Sequence, residues 1–123
     1  MSGEIERLVA TINEQADLLH GDRTPAVEAL IAHGVQALPH VLTLLEQDDE
    51  PTRMRAQRVL EGVTQALVQA STLGRPLTQG TGQEWQHLWR ENGSYDWRAP
   101  TGSRAEAVRL WREWVERVVA AED

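Results

Sequence analysis

The chain has 123 residues, one domain's worth, and a chain of this length buries roughly two thirds of the surface its unfolded form exposes. With 41 % hydrophobic and 25 % charged residues it falls outside the disordered and fibrous classes, and zero cysteines exclude a disulfide framework and thiol chemistry. A formal charge of −7 argues against a nucleic-acid partner, because phosphate recognition needs a net positive footprint. All 12 basic residues are Arg, so lysine Schiff-base and general-base chemistry are unavailable.

Six helical segments follow from period and punctuation. The first, about Gly3 to Leu19, carries Ile5, Leu8, Val9, Ile12, Ala16 and Leu19 at helical spacing, with Gly21 as its stop. "TPAVEALIAHG" offers Thr24 as N-cap and Pro25 at the first helical position, and ends at Gly34. The third holds Leu38, Val41, Leu42 and Leu45. Pro39 belongs in its first turn, where amide groups have no intrahelical acceptor and proline costs little. The fourth opens after Asp48 and Asp49 with Pro51 and repeats the apolar stripe at Ala56, Val59, Leu60, Val63, Leu67 and Ala70, until Gly74 and Pro76 end it. The acidic run "EQDDE" (46–50) lacks the Gly-centred spacing of a calcium loop and reads as charge complementing a helix N-terminus.

After the Gly/Thr/Pro-rich "GRPLTQGTG", Thr81 and Glu84 form a capping box ahead of Trp85, Leu88 and Trp89, and "ENG" closes the fifth helix. A second loop, "GSYDWRAPTG", leads to another capping box, Ser103 with Glu106. The last helix carries Val108, Trp111, Val115 and Val118, with Ala107, Leu110 and Trp114 beside them. No stretch alternates with the period of a strand, so the chain is expected to be all-α.

The second, fourth and sixth segments share a pattern: Arg23-x-x-Ala26-x-x-x-Leu30, Arg53-x-x-Ala56-x-x-x-Leu60 and Arg104-x-x-Ala107-x-x-x-Trp111. The segments before the last two also align, "LPHVL" (38–42) with "WQHLW" (85–89). This organises the chain as one domain of three stacked helical hairpins, units about 4–33, 35–73 and 82–121. The stretch 34–63 resembles a HEAT repeat: Gly34, Pro39, Leu42, Leu45, Asp48 or Asp49, Arg53, Ala56 and Leu60 occupy the family's pattern. That resemblance implies a short α-solenoid that binds other proteins, with no shared catalytic residue. The alternative fold is an up-down helical bundle. Thr52 stands where the family usually has Val, and the third unit lacks the early Pro.

The repeat assigns structural roles to Pro39, Leu42, Arg53, Ala56 and Leu60. Arg53 is expected to pair with Asp48 or Asp49 across its turn. Five Trp and one Tyr all follow residue 84. Trp85, Trp89, Trp111 and Trp114 align with Leu38, Leu42, Leu60 and Val63, so they are expected to pack together and close the array. Tyr95 and Trp97 have no counterpart and read equally as binding residues or as a structural lid. With Asp96 and Arg98 they form a candidate binding loop, 93–102, in which Trp97 is expected to be the most accessible of the five tryptophans.

Glu84-x-x-His87 has the spacing of a bundle metal site, but such a site needs a second copy and His40 has no partner Glu. His20, His33, His40 and His87 are spread over four segments and read as solvated or hydrogen-bonded. No phosphate loop, nucleophile–base pair or metal set emerges, so no enzyme, cofactor or metal is expected. The leading reading is a non-catalytic adaptor that binds another protein. A small-ligand binder, of a sugar or a cation, using loop 93–102 is the alternative. No apolar run approaches the roughly 20 residues of a membrane span, and the start of the chain has no basic-then-apolar leader, so a cytoplasmic setting without membrane contact is expected.

Overall fold

A computed structural model describes residues 3–16, 23–71 and 80–122, and these are helical with no strand among them. The helices are α1 (Gly3–Ala10), α2 (Pro25–His33), α3 (Leu38–Leu44), α4 (Glu50–Ser71), α5 (Gly80–Glu91) and α6 (Thr101–Glu122), with a 3₁₀ turn at Gly34–Ala37 leading directly into α3. The expected ends at Leu19, Gly21, Gly74 and Pro76, His20 and the loop between α4 and α5 lie outside the described residues, as does the Ala70 side chain.

α1 stops well before Leu19. The amides of Thr11, Ile12 and Glu14 bond back three residues, to Leu8, Val9 and Thr11, so the helix tightens into turns that reach Gln15 at φ 60. The Thr11 hydroxyl back-bonds to the Arg7 carbonyl at 3.0 Å, an alternative partner that weakens helix continuation. Thr24 is the N-cap of α2 as expected: its Oγ1 accepts from Val27 N and donates to the Ile12 carbonyl at 2.8 Å. One buried hydroxyl thus sets the start of α2 against the end of α1.

Gly34 takes φ 70, which a side chain disfavours, and its N–H bonds to Ile31 O to close α2. Pro39 then falls in the first turn of α3. Contrary to the sequence expectation, Pro25–Leu44 is a 20-residue stretch apolar enough in composition to match a membrane span. It is not one helix but two with a 3₁₀ turn between them, and Val27, Leu30, Val35, Leu38, Val41 and Leu42 along it are core.

Asp49 caps α4. Its Oδ2 accepts from Thr52 N at 3.2 Å and from Thr52 Oγ1 at 2.6 Å, and these hydrogen bonds hold its carboxyl below the usual range. Thr52 Oγ1 also accepts from Asn13 Nδ2 at 2.9 Å, and Arg55 Nη1 donates to Asn13 Oδ1 at 2.6 Å. The turn after α1 is therefore fastened to the first turns of α4.

Thr81 falls within α5, and its side chain lies outside the described residues. The expected Ser103–Glu106 capping box is not used, because α6 begins at Thr101 and Ser103 lies inside its helix. Glu106 instead engages Arg109 at 2.6 Å. The α6 start is set by Arg104, whose backbone N–H reaches Pro100 O and whose Nη1 reaches Ala99 O at 2.8 Å.

One core joins the elements: Leu30, Leu38, Leu42, Leu45, Leu60, Val63, Trp111 and Val115 belong to a single buried cluster. α1 packs on α3 and α2 on α4, as successive hairpins of a stack do. The third hairpin pairs crosswise, α5 against α4 and α6 against α3 and the 3₁₀ turn. A continuous stack would set α5 on α3.

Candidate binding surface

Loop 93–102 is built into the protein and does not hang from it. α5 ends in a Schellman motif, with Ser94 N bonding to Trp89 O at 3.0 Å, Gly93 N to Arg90 O at 3.2 Å, and Gly93 at φ 94. The Cβ absent from Gly93 would lie 2.8 Å from Ala107 Cα, so the turn presses on α6 where a side chain has no room. That geometry turns Tyr95 inward. It is 2 % exposed, and its hydroxyl donates to the Leu45 carbonyl at 2.6 Å at the end of α3. Burial pushes its phenol up to about 12. Tyr95, read from the sequence as either a binding residue or part of a structural lid, is thus a core residue.

Trp97 is held by its backbone. Its N–H donates to Gln57 Oε1 at 2.9 Å, and its carbonyl accepts from Arg53 Nε at 3.0 Å. Arg53 and Gln57 are one turn apart on α4, so a single helix face fixes both polar groups of this peptide. Arg53 also donates through Nη1 to Gln47 O at 2.7 Å. The expected pairing with Asp48 or Asp49 is replaced by two backbone carbonyls, because Arg53 is buried and points across the turn instead of into solvent. Arg104, at the matching place in the last hairpin, likewise reaches the carbonyl of the turn before its helix. Arg23 differs: it is exposed and pairs with Glu28 at 3.2 Å.

At the loop tip the Asp96 carboxylate accepts from Arg98 N at 2.8 Å and from Arg98 Nε at 3.3 Å. The backbone hydrogen bond from Arg98 leads in lowering the Asp96 carboxyl below its ordinary range. The Arg98 guanidinium lies over the Trp97 ring, 5.3 Å from its centroid. Trp97 is half-buried, as are Trp85, Trp89 and Trp114. The loop's carboxylate, guanidinium and indole face are engaged with one another.

The four aligned tryptophans do come together. Successive ring centroids along Trp85, Trp89, Trp111 and Trp114 are 5.2, 5.4 and 5.2 Å apart, joining α5 to α6. Trp85 Nε1 donates to Thr64 Oγ1 at 2.8 Å and Trp89 Nε1 to Tyr95 O at 3.2 Å. Trp111 is fully buried, and its indole N–H has no hydrogen-bond partner. Leu42, Ala56 and Leu60 are core, whereas Pro39 is exposed.

Pro39 instead borders a feature that sequence reasoning missed, an open groove of about 400 Å³ between α3 and α6. Leu42 and Val115 form its floor, Pro39, Val119 and Ala120 its walls, and Arg112 and Glu116 its charged rim. Pro39 and Ala120 are exposed and Val119 is half-buried. The signal was present in the sequence as an excess of apolar positions on α6, but which helix faced it depended on the crosswise pairing. Among the described residues no three His, Asp or Glu side chains come together as a metal set. His87 pairs with Glu91 and His33 lies 3.6 Å from Glu4. No family model, curated protein or solved structure matches this chain.

Proposed function

We propose that this chain is a non-catalytic protein-interaction module of HEAT-like helical hairpins, acting as an adaptor, and that its partner docks in the groove between α3 and α6. The groove carries the reading: an apolar floor and walls with a charged rim form a concave strip of the kind that receives protein side chains. The HEAT-like part of the proposal draws support from the same-layer packing of the first two hairpins and from the shared way Arg53 and Arg104 hold the turn before their helices. The crosswise third hairpin is the feature that favours the bundle description. For the alternative small-ligand reading, loop 93–102 retains Asp96, Trp97 and Arg98 but has lost Tyr95 to the core.

A photo-crosslinking amino acid placed at Ala120, and separately at Arg98, tests this in extracts of the native host. Capture of one stoichiometric partner from position 120 and not from 98 is expected. Equal capture from both positions, or none from 120, would overturn the groove as the docking surface.

A further inference from the structure

We infer that the groove between α3 and α6 takes a short amphipathic helix that is basic at one end. This rests on the interaction role proposed above and adds the chemistry of the occupant. Glu46 lies 3.7 Å from Arg112, whereas Pro39 shares the groove with Val119 and Ala120. The two helices therefore run in opposite directions along the groove, with the end of α3 beside residue 112. From Arg112 to Ala120 a helix rises about 12 Å, which accommodates about two turns of a bound helix and one apolar stripe on it.

The charges differ between the two ends. At the Arg112 end lies the exposed Glu46 of the turn between α3 and α4, and exposed Glu116 stands on the rim. Arg112, the cation of the lining, is already engaged by Glu46. An incoming Lys or Arg would meet a negative field there, reinforced by the chain's net charge of −7. A second copy of this chain is the poorer occupant. It brings another −7, and a strip this short is a fraction of the roughly 1,200–2,000 Å² that a stable protein interface buries.

The experiment is a selection on the intact protein from a displayed library of helix-forming peptides, with leucines fixed at helical spacing and both ends randomised. Clones that also bind Ala120→Arg are removed; Ala120 is exposed near the end of α6, and an unchanged denaturation midpoint verifies that the variant folds. We expect survivors to carry Lys or Arg at one end. A fluorescent copy of the leading clone should bind at least about tenfold more weakly to a Glu46→Lys/Glu116→Lys protein and lose affinity with rising salt. No surviving clone, survivors without a basic end, or equal binding by the charge-reversed protein would overturn the inference. So would self-association in sedimentation that Ala120→Arg abolishes. If the Ala120 cross-linker captures a partner while the selection shows no basic preference, the occupant chemistry falls and the interaction module stands; if both are negative, both fall.

Discussion

Arg53 on α4 donates from Nε to the carbonyl of Trp97, 44 residues away, at 3.0 Å. Its Nη1 simultaneously holds the carbonyl of Gln47 in the turn that precedes its own helix. One buried guanidinium therefore ties the second hairpin to the loop inside the third. Carbonyl dipoles rather than a carboxylate receive the charge.

Arg53→Ala is accordingly expected to be costly. It leaves two carbonyls short of a charged donor at a site that is 5 % exposed. Leaving such groups unsatisfied costs about 2–3 kcal/mol, more than the exposed ion pair read from the sequence would contribute. Urea denaturation measures it. An unfolding midpoint equal to the parent's would show that water replaces the guanidinium and that the loop is not anchored there.

Tyr95 gives a pH-dependent expectation. Its folded phenol titrates at about 12 against an ordinary 10.0. The neutral form is the one that folding favours, so its contribution is complete below pH 10 and is lost as pH rises through about 12. Phenolate absorbance of the folded chain should appear only in that upper range. Tyr95→Phe should remove this alkaline dependence while lowering stability at neutral pH by about 1 kcal/mol, from the lost hydrogen bond to Leu45. Titration of the native phenol near 10 would contradict the burial.

Much of the fold was legible in the sequence because it depends on local rules. Thr24, Gly34, Pro39 and Asp49 each act through their own turn, and the apolar stripes identified Leu42, Leu60 and the tryptophan cluster. The rest depended on distant partners. Tyr95 in "GSYDW" reads as a loop aromatic until Leu45 O is known to be its acceptor, 50 residues away. Arg53 beside two aspartates reads as an ion pair until the Trp97 carbonyl arrives. The groove was hidden for the same reason, since α6 meets α3 only through the crosswise packing of the last hairpin.

Leu42 and Leu60 are 1 % and 0 % exposed, and truncating either to Ala should cost roughly 2–5 kcal/mol. The two should differ in one respect. Leu42 also floors the groove, so Leu42→Ala should weaken partner capture even at temperatures where the protein stays folded, and Leu60→Ala should not. Loss below about 1 kcal/mol for both would place them outside the core.

Two glycines separate backbone from side-chain crowding. An added Cβ at Gly93 would meet Ala107 Cα at 2.8 Å and Ala107 Cβ at 2.9 Å, and the residue sits at φ 94. Neither α6's backbone nor the left-handed conformation can adjust cheaply, so Gly93→Ala should cost about 2–4 kcal/mol from strain and overpacking together. At Gly62, inside α4, the nearest atoms to an added Cβ belong to the Ile31 side chain, at 2.7–3.2 Å. Ile31 is half-buried against the core, so a shift of its side chain costs less than a shift of α6's backbone, while alanine gains about 1 kcal/mol in helix propensity over glycine. Gly62→Ala should therefore change stability by less than about 1 kcal/mol in either direction. Paired chemical denaturation of the two variants decides. If Gly62→Ala proves as damaging as Gly93→Ala, Ile31 is locked between α2 and α4, and the contact between the first two hairpins is as rigid as the turn that holds Tyr95.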